Sequence, residues 1–325
     1  MAEKKAGENR SGKAAEQDAP AASARPARTR RERPAPGGTP RERVAVRKTH
    51  KLYIGGAFPR SESGRSYSVA SADGAHLANA ALASRKDARD AVAAARKAFG
   101  GWSGRTAYNR GQILYRVAEM MEGRRAQFAA EVAAARGARR PEAEEEVSAA
   151  IDRWVYYAGW TDKVAQVVGG ANPVSGPYHN HSVPEPTGVV AVLAPQDAPL
   201  LGLVSVLAPV IATGNTAVLV AAERAPLPAV ALAEALATSD LPGGVVNLLT
   251  GRTAELAPHL AAHADVNALD LAGAGDLAAE LEAAAADTLK RVLRPRQAPD
   301  WSADPGLSRI TPFLETKTVW HPVGL

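Results

Sequence analysis

Between Gly188 and Thr288 short apolar runs alternate four times with longer helical ones, and nothing else in this 325-residue chain constrains its fold so tightly. "GVVAVLA", "TAVLVAA", "GGVVNLLTG" and "VNALDLAG" have the length and β-branched content of buried strands. "APLLGLVSVLAPVIATG", "LPAVALAEALATS", "AELAPHLAAH" and "DLAAELEAAAADT" between and after them have the length of helices. Such alternation predicts a doubly wound α/β fold with a parallel sheet. Ligands of such sheets bind outside the carboxyl ends of the strands, near a switch in strand order. The candidate site loops are therefore 195–199, 221–224, 250–253 and 272–276.

Upstream of that region the pattern differs. "HKLYIGGAFPRSESGRSYSVASADG" alternates and is broken by Gly and Ser, which predicts two or three short strands. Three helices should follow. The first is capped by Ser84, with Ala91, Val92, Ala95 and Phe99 at helical spacing. The second is one long run from Arg110 to Gly137 with Ile113, Val117, Met120 and Met121 on a stripe. The third begins at Glu142, with Val147, Ile151, Trp154, Val155 and Ala158 facing the core. Glu144, Glu145 and Glu146 read as a solvated charge run at its start, favourable against the helix dipole. "GPYHNHSVPEPTG", about 174–187, is extended by its prolines and reads as a protruding two-stranded arm, with His179 and His181 on one face.

Charge and composition narrow the function classes. The net charge is +5, yet residues 1–50 hold 13 Lys/Arg against 6 Asp/Glu, so the remainder is net −2. The basic balance belongs to a tail, 1–47, rich in Ala, Pro and Arg and without hydrophobic periodicity, which reads as disordered. Nucleic acid is an expected partner only through that tail, as an RNA- or surface-tethering module. The longest apolar run, from Ala198 to Thr213, falls short of the roughly 18 residues that span a bilayer, and nothing near Met1 has the apolar core of a secretory signal. A cytoplasmic protein is expected. There is no cysteine, which excludes disulfides, thiolate metal sites and a cysteine nucleophile.

A series of motifs then resembles one family. "AFGGW", "RGQILYRVAEMME", "YYAGWTDK", "PEPTGVVAVLAPQDAPL", "GNTAVLV" followed by "ERAP", "LPGGVVNLLTG" and "HADVNALDLAG" resemble, in order, the N-terminal half of the NAD(P)-dependent aldehyde dehydrogenases. "FLETKTVWHPVG" resembles that family's C-terminal strand, which joins the arm and helps build the oligomer. The resemblance implies a Rossmann-like cofactor-binding domain at 48–293, with an N-terminal helical layer and the arm, and a linker with an oligomerisation strand at 294–325. In the family a catalytic domain lies between the last cofactor-domain strand and that final strand. Here about thirty residues lie there, too few for a domain.

The same resemblance assigns the candidate site. Pro195, Gln196, Asp197, Ala198 and Pro199 occupy the turn where the family usually has proline, tryptophan, asparagine, an aromatic and proline. The asparagine's amide donates to the developing oxyanion. An ionised Asp197 has no donor and would oppose that charge. Val220 stands where the family has a ribose-binding lysine, whereas Glu223 matches its ribose-binding acid. Gly251 is kept, and Gly273, Gly275 and Ala278 read as G-x-G-x-x-A, whose backbone N–H groups could hold a phosphate of NAD or NADP. No serine context, at Ser148, Ser175 or Ser205, forms a nucleophile elbow. His259 and His263, spaced i,i+4 on a helix near Asp265, read as a solvated pair rather than a metal site. The expected protein is a non-catalytic relative with weakened or lost cofactor binding, pairing with itself or with a full-length aldehyde dehydrogenase. The alternative is an aldehyde oxidoreductase subunit active only in a hetero-oligomer.

Overall fold

The computed structural model of the chain describes residues 46–324. The expected tail, 1–47, lies outside that range except for its last two residues.

The chain opens with β1 (Thr49–His50), β2 (Ser66–Ala70) and β3 (His76–Ala81), a small sheet in the order β1-β3-β2. Helix α1 (Arg85–Ser103) starts where expected. Ser84 accepts from the N–H groups of Lys86 and Asp87, and the Asp87 carboxylate accepts from Ser84 N, completing a capping box. The long second helix of the sequence reading is two helices, α2 (Ala107–Glu122) and α3 (Arg125–Arg136), separated at Gly123 and Arg124. Glycine at this position weakens helix continuation, and the break lets Phe128 and Val132 of α3 bury fully. Helix α4 (Arg140–Trp160) packs on α2, α3 and α6 (Leu201–Ala212), and the short α5 (Val164–Val168) ends the helical layer. Val155, expected in the core, is exposed on α4.

The main sheet holds β6 (Val189–Leu193), β7 (Thr216–Val220), β8 (Val246–Leu249), β9 (Ala268–Asp270) and β10 (Arg291–Leu293), all parallel, in the order β10-β9-β6-β7-β8. Helices α6, α7 (Leu227–Leu236), α8 (Thr253–Ala261) and α9 (Ala278–Ala286) connect them. The doubly wound architecture is as the alternation predicts, with one strand more: β10 is three residues long and carries no apolar run to announce it. Every residue of β6 and β7 is buried, as strands covered on both faces must be. The order reverses between β6 and β9, which places the switch point between the turn after Leu193 and the turn after Asp270.

The stretch read as a two-stranded arm, about 174–187, holds one strand, the centre of a three-stranded sheet that the C-terminal strand joins as expected. β5 (Tyr178–Pro186) lies between β4 (Gly170–Ala171) and β11 (Leu314–Pro322), and β11 pairs with it antiparallel over nine residues. The segment joining β10 to β11 is a strap docked on the domain. Arg153 of α4 donates to the carbonyls of Trp301 and Ala303, Tyr156 to that of Gly306, and Asp270 of β9 pairs with Arg309 at 2.7 Å. Ile310, Phe313 and Leu314 then enter the main core.

Candidate functional site

The turn after β6 carries Pro195, Gln196 and Asp197 to the carboxyl edge of the sheet. Pro195 is buried, while Gln196 and Asp197 are exposed. The Gln196 amide nitrogen donates to the Ala194 carbonyl at 3.0 Å, and its oxygen accepts from Glu223 N at 2.8 Å. Gln196 thus clips the turn after β6 to the turn after β7. Among the described residues nothing donates a hydrogen bond to the Asp197 carboxylate.

Glu223 is brought beside this turn but is already engaged. Its carboxylate forms an ion pair with Arg252 and accepts from Thr253 N, the first residue of α8, at 3.3 Å. Arg252 lies 5.9 Å from the centre of the Tyr67 ring, and Tyr67 donates to the Glu223 carbonyl. Burial pushes the Tyr67 hydroxyl pKa up, and the Glu223 charge adds to that.

The glycines are brought to the same edge with different duties. Gly273 closes the switch point: a Cβ there would stand 1.9 Å from the Ala194 carbonyl oxygen, and its N–H donates to Leu193 O at 2.9 Å. Its N–H is thus spent on the fold. Gly251 is buried at φ 149°, against Ala83 N. Gly275 takes φ 53° in open space and begins a 3-10 turn, Gly275–Leu277, so the helix proper starts only at Ala278. Val220, at the family's lysine position, is fully buried.

One residue read as surface charge belongs at this edge. Glu144 pairs with Arg140 in solvent, but Glu146 is buried, pairs with Arg136, and accepts from Leu201 N at the start of α6 at 3.2 Å. Its spacing from Ala143 and Ala150, on the buried stripe of α4, was the available signal. A carboxylate therefore fills the N-terminus of α6 (Glu146) and that of α8 (Glu223), and Asp276 lies in the turn before α9. Helix N-termini favour anions through their free N–H groups and dipole; here the protein supplies the anions itself.

The other expected pairs divide. Helix α8 ends at Ala261, so His259 and His263 do not share a helical face, and His263 Nδ1 accepts from Asp265 N at 3.1 Å. His179 and His181 do share a face of β5, their ring centres 5.4 Å apart.

Known proteins share both sequence and fold with this chain. Residues 58–294 match the model of the aldehyde dehydrogenase family. The chain is 34% identical over 258 residues to the "putative aldehyde dehydrogenase DhaS" of Bacillus subtilis, covering 78% of this chain and 52% of that protein. It is 33% identical over 240 residues to the human cytosolic 10-formyltetrahydrofolate dehydrogenase, covering 71% of this chain and 26% of that one. It thus spans about half the length of the bacterial relative and about a quarter of the human one. Among solved structures, the NAD-dependent aldehyde dehydrogenase of Sinorhizobium meliloti superposes with a TM-score of 0.71 at 26% identity, covering 76% of this chain and 50% of that chain. HpcC of Thermus thermophilus superposes at 0.70 and 31% identity, covering 75% of this chain and 47% of that chain. With the family model matched over most of its length and the fold in common, the chain belongs to the aldehyde dehydrogenase family.

Proposed function

We propose that this protein is a non-catalytic member of the family, a cofactor-type domain retained for assembly with a second copy or with a full-length aldehyde dehydrogenase. The observation that carries this reading is the strap. In the family the interval between the last cofactor-domain strand and the C-terminal strand holds the catalytic domain; here it is residues 294–313, anchored to α4 and β9 by Arg153, Tyr156 and the Asp270–Arg309 pair. The absence of cysteine removes the family's nucleophile. The same reading divides the chain into a tail (1–47), a cofactor-type domain (48–293) and a linker with the assembly strand (294–325).

Dinucleotide binding is weakened or lost in this reading. An ionised Asp197 offers no amide donor, Val220 offers no ammonium, and the carboxylates at α6 and α8 occupy the positions that would attract phosphate. A calorimetric titration with NAD and NADP should give no saturable heat, and a panel of aldehydes with either cofactor should give no reduced nicotinamide. Analytical ultracentrifugation, alone and with a full-length family member from the same cell, should detect an oligomer. Turnover by the isolated chain, or a monomer that binds no family member, would overturn the proposal. Binding of NAD only in the mixed complex would instead favour a cofactor-donating subunit.

A further inference from the structure

The arm carries a second piece of chemistry that the family reading does not use. His179 and His181 are two apart on β5, so their side chains leave the same face of the sheet about 7 Å apart along the strand. The register of β11 sets His321 directly opposite His179. Three imidazoles therefore share one face, contributed by two strands that are distant in the chain. The His181 ring centre lies 5.4 Å from that of His179 and 5.8 Å from that of His321. Nδ1 of His181 is buried and has no hydrogen-bond partner.

These spacings suit a metal ion. With Zn–N bonds of about 2.05 Å and tetrahedral angles, ligating nitrogens are about 3.3 Å apart and the ring centres roughly 5 Å apart. Two of the three ring pairs, His179–His181 and His181–His321, are within an ångström of that separation. Among the described residues no three such side chains yet converge on a point, so ligation requires the rings to turn about χ1 and χ2. His179 and His321 are exposed and free to do so. The charged groups on this face do not compete: Glu185 pairs with Lys317, and Glu315 with Arg291.

We propose that His179, His181 and His321 form a three-histidine site for a late first-row divalent cation such as Zn2+. Neutral imidazoles are the preferred nitrogen ligands of such ions, and the fourth position is left to water or to a carboxylate of another molecule. The ion would join β11 to β5 through side chains as well as through the backbone ladder. The site is independent of the cofactor question, so its failure leaves the family reading untouched.

The test uses the full chain without a histidine tag. Calorimetry with Zn2+ at neutral pH should give one ion per chain, and Co2+ should develop the strong visible bands of a four- or five-coordinate nitrogen site. H181Q and H321Q should each weaken binding at least about tenfold, with the fold checked by circular dichroism, whereas H263Q should bind as the parent does. No saturable binding, an octahedral-only Co2+ spectrum, or unchanged affinity in both H181Q and H321Q would overturn the site. H179Q, at an exposed position, keeps the test valid if either of the other variants misfolds.

Discussion

Asp270 shows what single residues contribute beyond their place in a pattern. It is fully buried in the middle of an apolar run, and burial pushes its carboxyl pKa up against the opposing pull of Arg309. Arg309→Ala leaves that charge without its ion-pair partner and should cost about 3–5 kcal/mol in urea denaturation. Replacing both residues, Asp270→Leu with Arg309→Met, should recover most of the loss. Glu131 of α3 gives a pH-dependent counterpart: burial pushes its carboxyl up to about 7, and Oε2 has no hydrogen-bond partner. Because its proton is held more tightly in the folded than in the unfolded chain, stability falls as pH rises from the ordinary glutamate range to about 7. Glu131→Gln should therefore stabilise by roughly 2–3 kcal/mol at pH 7 and flatten the melting-temperature profile between those limits. Burial of this kind was only partly legible. Glu146 and Arg153 lie seven apart on the buried stripe of α4, so periodicity could have exposed both, but their partners, Leu201 N and the strap carbonyls, come from distant segments.

At the scale of elements, the regular pieces were legible wherever a cap or an apolar run defined them. Ser84 announced α1, and the all-buried β6 and β7 were plain from their composition. The α2–α3 break and β10 were not, since a lone glycine and three mixed residues carry weak local signals. The glycine pattern after β9 was legible as a string, but its literal phosphate-binding sense does not fit Gly273, which serves contact between turns. Gly273→Ala should destabilise by about 3 kcal/mol or more through overpacking against Ala194. Gly275→Ala, at φ 53° with open space around it, should cost only about 1–2 kcal/mol. Equal losses in thermal unfolding would show that the contact with Ala194 is not what requires glycine at 273.

For the whole molecule, the arm is where the proposed assembly can be tested. Val323 N donates to Pro177 O, and Thr187 N to Phe313 O, so the odd-numbered residues of β11 face β5 with their backbone groups. The even-numbered ones, including Thr318, face the open edge, a ready template for another strand. Val319→Pro should break the β5–β11 ladder and lower thermal stability. Thr318→Pro should spare that ladder yet abolish any oligomer built by strand addition at this edge, as sedimentation would detect.

The sequence by itself determined the doubly wound core and the family, because strand and helix periods and a series of local motifs lie within short windows. It also determined that this sequence holds no cysteine, which is a matter of composition alone. Only the tertiary structure decided that Glu146 and Glu223 cap the helices at the sheet edge, that Gly273 shuts the switch point, and that His321 joins His179 and His181 on one face. Each of these joins residues that are distant in sequence, and local periodicity carries no information about which distant segments meet.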